Sequence, residues 1–203
     1  MEEKLLENHK RYLERIKFYK KFGYDVEEER RFILEKAYPL YGEILEVGTG
    51  KGYFTIELAK EGYNLTSIDI SDEEQEFARL NIQYFGFEKL VDFRIENAEK
   101  LSFPDASFDL IFSINTIHHL TNPIKVIDEL IRIVTLEGKI IISDFTKKGL
   151  KIIDQIHESE GRQHEAGQAV LADVSSYLES KKFNIQKHTS GSQDILIAYH
   201  QLM

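Results

Sequence analysis

The sequence predicts an α/β domain built on a mostly parallel β-sheet that is wrapped by helices. Three features indicate this fold. Short β-branched runs alternate with amphipathic segments from residue 43 onward, a glycine-rich turn follows the first run, and only three residues separate the last two runs. Alternating strands and helices are typical of parallel pairing, whereas a short connection makes the final pair antiparallel.

Seven runs are predicted as strands. The first five alternate with helices and are expected to be parallel: 43–47, 64–70, 91–95, 108–114 and 139–145. The last two, FNIQKHT and QDILIAYH, are joined by Ser190-Gly191-Ser192 and form a hairpin. We therefore expect a sheet that closes with an antiparallel hairpin.

The predicted helices have recognisable ends. One spans 53–60 and stops at Gly62, and another spans 72–85 with the capping box Ser71-x-x-Glu74 before it and Gly86 after it. A third begins at Asn122-Pro123, and a fourth lies around 173–182.

Residues 1–40 are predicted to form a helical lid, and residues 41–203 the α/β domain. Asp25 is the expected N-cap of the second helix, which Pro39 ends. Between His9 and Phe22, six Lys and Arg residues with interleaved aromatic residues accompany one acid, Glu14. An amphipathic packing helix is the favoured interpretation of this basic stretch, and an arm that stacks on nucleic-acid bases is the alternative.

Composition narrows the classes of function. The 203 residues include no cysteine, which excludes disulfides, thiolate metal sites and cysteine nucleophiles. A net charge of −9 opposes broad nucleic-acid binding. No apolar run approaches the roughly 20 residues of a membrane span, and the N-terminus lacks a signal-like apolar region. We expect a cytoplasmic monomer or homodimer with no membrane association.

The segment LEVGTGKGYF, residues 45–54, predicts a ligand site. Its turn is expected to present unshielded backbone N–H groups and a helix N-terminus at the carboxyl edge of the sheet. Asp69 ends the next strand about 20 residues later, where a carboxylate can accept both ribose hydroxyls. Glu46 favours a positively charged ligand. The NAD pattern G-x-G-x-x-G is not met, because Tyr53 follows Gly52.

With these residues the chain resembles the class I S-adenosylmethionine-dependent methyltransferases, whose motif [ED]-x-G-x-G-x-G here spans Glu46 to Gly52. The stretch ENAEKLSFPDASFDLIFSINTIHHL, residues 96–120, is also similar to that family, although Asn97 stands where aspartate is usual. The resemblance implies a Rossmann-like seven-stranded sheet of order 3-2-1-4-5-7-6, S-adenosyl-L-methionine as cofactor and S-adenosyl-L-homocysteine as product. The implied cofactor-binding positions are Glu46, Gly48, Thr49, Gly50, Gly52, Asp69, Ile70, Asn97, Ala98 and Ser113.

Catalysis then consists of holding an acceptor atom in line with the methyl group and removing a proton where the acceptor carries one. The acceptor is expected over the carboxyl ends of strands four and five, with Asp144 and Phe145 beside it. The catalytic candidates are His118, Asn115, His157 and His164, although a local structural role is the favoured interpretation of His118. The sequence lacks the [ND]-P-P-[YF] tetrapeptide of amino-group methyltransferases.

No metal is predicted. Weaker candidates for a divalent metal site lie in the insertion after strand five, which is expected to determine substrate specificity: Asp154, His157, Glu158 and His164. On one unbroken helix His157 and His164 would be ~10 Å apart, too far for one ion. A solvated charged face is the favoured interpretation.

The sequence therefore predicts a methyltransferase that acts on a small-molecule acceptor. Three alternatives remain at this stage: an RNA or protein methyltransferase that docks through the basic stretch, an NAD-linked oxidoreductase, and a non-catalytic nucleoside-binding module.

Overall fold

A computed structural model describes residues 2–161 and 171–201 of the chain. Its centre is a seven-stranded sheet of order β3-β2-β1-β4-β5-β7-β6. The strands are β1 (Ile44–Val47), β2 (Leu65–Asp69), β3 (Val91–Ile95), β4 (Phe108–Ile114), β5 (Val134–Phe145), β6 (Phe183–Thr189) and β7 (Gln193–His200). All neighbouring pairs are parallel except the two made by β7, which is antiparallel to β5 and β6. The predicted fold class, strand order and closing hairpin are confirmed.

Seven α-helices accompany the sheet in the described residues: α1 (Glu2–Lys21), α2 (Val26–Ala37), α3 (Tyr53–Lys60), α4 (Asp72–Phe85), α5 (Pro123–Ile133), α6 (Lys147–Ser159) and α7 (Leu171–Ser180). Local capping rules account for several ends. Ser71 accepts from Glu74 N at the start of α4, and Gly86 ends that helix in a left-handed conformation. The Asp25 side chain likewise accepts from Glu28 N and begins α2.

Strand β5 begins earlier than its sequence pattern indicates. The chain passes from the end of α5 at Ile133 directly into β5 at Val134, without a turn. The β4–β5 register shifts between Phe108 and Leu110, so Val134 pairs with Phe108 before the regular ladder starts at Lys139. The sequence pattern does not indicate this first part of the strand, because Glu137 and Gly138 interrupt the apolar run.

Alternation along the strands builds two apolar layers, one on each face of the sheet. Leu45, Ile111 and Ile140 pack with α5 and α7 on one face. Ile44, Leu110 and Ile141 pack with α2 and α3 on the other. The central strands are thus covered on both sides, as parallel sheets require.

The N-terminal helices differ in how they join this core. Ile33 and Leu34 of α2 belong to the same buried cluster as β1, β4 and β5. Helix α1 lies further out, where Tyr12 and Ile16 pack with residues of α3 and α4. We infer that α2 is part of a sheet-covering layer, whereas the division into a lid at 1–40 and a domain at 41–203 stays a prediction.

Within the described ranges, no helix is both long enough and apolar enough to cross a bilayer.

The first prediction concerns the role of α2. Ile33 is fully buried, so Ile33→Ala should lower the free energy of unfolding by about 2–5 kcal/mol in chemical denaturation. Glu35→Ala on the exposed side of the same helix serves as the control and should change it little. An unfolding midpoint that Ile33→Ala leaves unchanged would show that α2 is a separable lid.

Candidate functional site

A cavity of about 510 Å³ opens at the carboxyl ends of β1, β2 and β4. Eight of the ten predicted cofactor-binding positions line it. Four come from β1 and the turn after it: Glu46, Gly48, Thr49 and Gly50. The other four are Asp69 at the end of β2, Ile70 after it, and Asn97 and Ala98 after β3. Crossover connections bring these separate segments to one edge of the sheet, where open α/β folds bind ligands.

The three glycines of the turn have positive φ angles, but they make room for different neighbours. A Cβ at Gly48 would lie 2.2 Å from Thr116 Oγ1, and one at Gly52 would lie 2.7 Å from the Cβ of Ala78 on α4. At Gly50 a Cβ would meet nothing within 4 Å. Two glycines therefore serve internal packing, and only Gly50 keeps open space in the cavity wall.

Four of the amides that were expected to be unshielded in this turn have acceptors within the protein. Gly48 N and Thr49 N donate to Ile68 O, and Gly52 N donates to Thr49 O. Gly50 N donates to Asp69 Oδ2 at 2.7 Å. Neighbouring backbone and the Asp69 carboxylate satisfy these four groups, so the turn shapes the cavity without offering these amides to a ligand.

Glu46 is a buried carboxyl group in the floor of the cavity. Its Oε2 accepts hydrogen bonds from Thr55 Oγ1 at 2.5 Å and Ser67 Oγ at 2.6 Å. Burial raises the pKa of Glu46 to about 7, although these hydrogen bonds and the positive charge of Arg30 act in the opposite direction. A bound cation would favour the charged carboxylate here.

Hydrogen bonds continue from Glu46 under the turn. Thr49 Oγ1 lies 2.7 Å from Ser67 Oγ, and Gln75 Nε2 of α4 donates to Thr49 Oγ1 at 3.1 Å. Gln75 also donates to the Ser67 and Arg94 carbonyls. The polar chain links β1, β2 and α4 beneath the cavity. Its helical member, Gln75, was not singled out from the sequence.

Asp69 holds the turn and also borders the cavity. In addition to the bond from Gly50 N, its Oδ1 accepts from Ser71 N at 2.9 Å. Each carboxylate oxygen retains acceptor capacity for a hydroxyl, since an ionised carboxylate has about four lone-pair sites. Ser71, not Asp69, is the N-cap of α4.

Residues beyond β2 and β3 form the outer wall of the cavity. Ile70 is 72% exposed, and it lines the cavity with Asn97 and Ala98. Asn97 Oδ1 accepts from Glu99 N at 2.9 Å, so the oxygen predicted to face adenine already takes part in a local turn.

Two predicted cofactor positions do not line the cavity. Ser113 is fully buried within the sheet, between Val47 of β1 and Ile142 of β5. Gly52 is the N-cap of α3 and packs against α4. Neither residue is exposed to the cavity in this structure, so direct contacts of Ser113 and Gly52 with a cofactor stay predictions.

The two histidines that follow β4, His118 and His119, have different surroundings. His118 lies buried beside Asp144, whose Oδ1 is 2.6 Å from His118 Nδ1 and whose Oδ2 accepts from His118 N. His118 is not among the cavity-lining residues, whereas His119 is, and the two ring centroids are 4.0 Å apart. A short 3-10 helix at 117–119 turns the adjacent side chains in different directions. His119, which the sequence analysis did not select, replaces His118 at the cavity surface.

Asn115 lines the cavity as predicted for an acceptor-side residue. Its φ angle is +54°, a left-handed conformation that is unusual outside glycine and that clusters at functional sites. Its Nδ2 donates to the Tyr24 hydroxyl at 3.4 Å, and its Oδ1 is buried with no hydrogen-bond partner. An unsatisfied buried acceptor on a cavity wall indicates a place for a ligand donor.

Helix α6 occupies the start of the insertion after β5. It buries Ile152, Ile153 and Ile156 against Tyr24 and Val26, while Asp154 and Glu158 are exposed and His157 is half-buried. None of these three polar residues lines the cavity, and His164 lies outside the described residues. Across residues 2–161 and 171–201, no group of three or more His, Asp or Glu is arranged to hold a metal ion.

The second prediction separates the clash at Gly52 from backbone strain. Gly52→Ala should lower the free energy of unfolding by about 1–2 kcal/mol through its left-handed conformation, and by about 1–3 kcal/mol more through overlap with Ala78. Gly62→Ala is the control, because it has a similar φ of +84° and open space. Equal destabilisation of the two variants in denaturant melts would contradict the packing role.

Comparison with known proteins identifies the fold and the domain. Residues 45–142 match the family described as "Methyltransferase domain". Phosphatidylethanolamine N-methyltransferase of Cereibacter sphaeroides is 30% identical over 121 residues, which are 60% of this chain and 59% of that protein. Ubiquinone biosynthesis O-methyltransferase of Xylella fastidiosa is 30% identical over 116 residues, which are 56% of this chain and 46% of that protein. The chain therefore spans about half the length of these curated relatives.

A solved structure extends the fold match. The crystal structure of an S-adenosylmethionine-dependent methyltransferase from Aquifex aeolicus superposes with a TM-score of 0.65 at 23% identity, covering 83% of this chain and 88% of that one. The shared fold agrees with the strand order described above. Residues 45–142 thus match a methyltransferase domain, and the sheet has the seven-stranded topology of the class I S-adenosylmethionine-dependent methyltransferase fold.

Proposed function

We propose that the protein transfers a methyl group from S-adenosyl-L-methionine to a nucleophilic atom of a small-molecule acceptor, releasing S-adenosyl-L-homocysteine. The observation that carries this proposal is the 510 Å³ cavity in which Gly50, Asp69 and Glu46 meet at the carboxyl edge of the sheet. The cavity size suits a nucleoside with an amino-acid extension, because ligand pockets commonly measure about 300–1,000 Å³.

The cavity-lining residues fit this cofactor chemically. Asp69 has carboxylate lone pairs for the ribose hydroxyls, and the open space beside Gly50 lets a ligand approach the main chain. Ile70 offers an exposed apolar surface to a base or ribose face. The carboxyl group of Glu46 favours the positive charges of the sulfonium end. When bound, S-adenosylmethionine supplies an activated methyl group on its sulfonium sulfur.

We infer that the acceptor binds at the Asn115 and His119 side of the cavity. The buried, unpartnered Oδ1 of Asn115 would accept a hydrogen bond from the acceptor molecule. His119 would take the proton of an acceptor that carries one, while Asp144 and His118 hold the 3-10 helix in place. The relatives' names, which refer to N- and O-methylation of a phospholipid and of a ubiquinone precursor, support a small acceptor.

The alternatives find less support in the structure and the comparisons. Four cations of the basic stretch in α1 lie near carboxylates, Lys10, Arg11, Arg15 and Lys20, which weakens the case for an RNA- or protein-docking surface. The glycine spacing does not favour NAD. A nucleoside-binding module without activity would share the cavity and lack turnover. A cytoplasmic location and a monomeric or homodimeric state stay predictions.

Calorimetry with S-adenosylhomocysteine and NAD tests the proposed function. Micromolar binding of the first with none of the second is expected, followed by release of S-adenosylhomocysteine when S-adenosylmethionine is incubated with fractionated metabolite pools. Absence of S-adenosylhomocysteine binding would refute the proposal, and binding without turnover on any pool would leave the nucleoside-binding module.

The third prediction concerns pH. Below pH 7 the ligand-free Glu46 carboxyl is mostly protonated, so a positively charged ligand must displace a proton in order to bind. The affinity for S-adenosylhomocysteine, whose amino group is cationic, should therefore rise between about pH 6 and 8 and then level off. Proton release, measured by calorimetry in buffers of different ionisation enthalpy, should be lost in Glu46→Gln. An equal pH dependence in that variant would exclude Glu46 as the titrating group.

The fourth prediction separates the two histidines. With an acceptor that the pool screen identifies, and that carries a transferable proton, His119→Gln should lower kcat about 100-fold or more while changing KM little. His118→Gln should instead lower thermal stability, because its ring is buried against Asp144. A larger loss of kcat in a folded His118→Gln protein than in His119→Gln would reverse these roles.

A further inference from the structure

A second cavity, of about 240 Å³, lies between α1, α3 and α4. Lys51 and Tyr53 line both this cavity and the first one, so the two share a wall at the start of α3. The other described lining residues come from α1 and α4: Asn8, Arg11, Tyr12, Arg15, Phe77 and Asn81. A ligand in the second cavity would therefore lie next to a ligand in the first.

The charged residues of the second cavity all have the same sign. Its described lining includes three cations, Arg11, Arg15 and Lys51, and no carboxylate. By contrast, the adjoining groove between α1 and α4 is lined by two cations and four acids, the acids being Glu7, Asp72, Glu73 and Glu76. The chain as a whole has a net charge of −9, so a purely cationic lining is not a general property of its surface. Such a lining attracts anions.

Two of these cations form only exposed ion pairs, and their partners lie outside the lining of the second cavity. Glu7 Oε1 accepts from Arg11 at 2.5 Å, and Glu74 Oε2 is 3.8 Å from Lys51 Nζ. All four side chains of these pairs are exposed to solvent. Because exposed ion pairs contribute little to stability, both cations remain available to an anion in the cavity.

Arg15 has one donor without a partner. Its terminal nitrogens donate to Glu160, which follows α6, and Nη2 also donates to the Tyr19 hydroxyl at 2.9 Å. Its Nε, by contrast, is buried with no hydrogen-bond partner. A buried donor without a partner is costly in free energy, so an acceptor atom of a ligand would stabilise this one.

Two tyrosines line the cavity with unpaired hydroxyls. Tyr12 of α1 is 7% exposed, and its ring stacks on Tyr53 with the ring centroids 5.4 Å apart. Buried tyrosine hydroxyls usually have a hydrogen-bond partner. Within residues 2–161 and 171–201, neither of these two hydroxyls has one. Burial raises the pKa of both phenols above the ordinary value, so both keep their proton at neutral pH and can donate it.

Other residues attach α1 to α4, so the cavity cations and hydroxyls are not needed for that purpose. Asn8 Nδ2 donates to Asn81 Oδ1 at 2.9 Å and to the Phe77 carbonyl at 3.2 Å. Lys4 Nζ donates to Glu76 Oε1 at 2.8 Å. A purely structural role therefore does not account for the cations and phenols that face the cavity.

We propose that the methyl acceptor carries an anionic group, a carboxylate or a phosphate, that binds in the second cavity. Its oxygens would accept from Arg11, Lys51 and the Tyr12 hydroxyl, because charged oxygens form strong hydrogen bonds with such donors. The shared wall at Tyr53 lets the rest of the acceptor extend into the first cavity. This inference rests on the proposed function, which supplies the methyl transfer, and it adds the chemical class of the acceptor.

Anion exchange of the metabolite pool tests the class of acceptor. The pool is separated at neutral pH into retained and unretained fractions, and each is incubated with wild-type protein and S-adenosylmethionine. Release of S-adenosylhomocysteine is expected with the retained fraction. Phosphatase treatment of that fraction should abolish the release if the group is a phosphate monoester and preserve it if the group is a carboxylate. Release with the unretained fraction alone would overturn the proposal and leave the proposed function standing.

Variants of α1 test the cavity itself, with the acceptor found in this way. Tyr12→Phe should raise KM about 10-fold or more with little change in kcat, because a hydrogen bond to a charged group is lost. Its unfolding midpoint without ligand should not fall, since the hydroxyl has no partner within the described residues. Arg11→Met should raise KM about threefold or more. Lys10→Met is the matched control, because it removes an adjacent exposed cation that does not line the cavity, and it should leave KM unchanged.

Two results would exclude this cavity as the anion site. One is a wild-type KM in both Tyr12→Phe and Arg11→Met. The other is a loss of affinity for S-adenosylhomocysteine that equals the rise in KM, which would place the effect in the first cavity.

A wild-type protein that binds no S-adenosylhomocysteine, or releases none with any fraction, would count against the proposed function instead. The second cavity is then tested by calorimetric titration with phenyl phosphate. Weaker binding to Tyr12→Phe and Arg11→Met than to wild type and Lys10→Met would support an anion site. Equal binding to all four proteins, or no binding to wild type, would refute it.

Discussion

The buried hydrogen bonds that end on Glu46 are the interaction on which the rest of the site depends. Gln75, Thr49 and Ser67 connect α4 to the carboxyl group of Glu46, and Thr55 reaches the same oxygen from α3. The sheet edge and the two helices around the cavity are thereby held in one arrangement. Moving any one of these side chains would leave buried polar groups unpaired, which is costly in free energy. This floor is therefore expected to be rigid whether or not a ligand is bound.

Above this floor, the chain leaves several polar groups incompletely satisfied. Arg30 Nε and Asn115 Oδ1 are buried without hydrogen-bond partners, and burial holds Glu46 near its titration point at neutral pH. By contrast, the backbone amides of the glycine turn are satisfied internally. Polar side chains therefore supply part of the capacity to bind a ligand, and the glycines contribute the shape of the cavity.

Local rules made much of the fold predictable. Capping at Ser71 and Gly86, alternation in the strands and the short final hairpin depend on neighbours in sequence, and the structure reproduces them. Asp69 and Gly50 could be placed in the site because their spacing follows the strand–turn–helix geometry. Tyr24 could not, since the position of its hydroxyl depends on contacts with residues as distant in sequence as Asn115 and Gln193. The choice between His118 and His119 likewise required the direction of a single 3-10 turn.

The function proposed for this protein requires its cavity to bind the adenosylmethionine skeleton. A crystal structure of the protein with S-adenosylhomocysteine would decide whether it does. Electron density is expected in the cavity, with both ribose hydroxyls within hydrogen-bond distance of the Asp69 carboxylate and the amino-acid end beside Glu46. Ligand density at another place on the protein, or an empty cavity in crystals grown at saturating ligand, would contradict it.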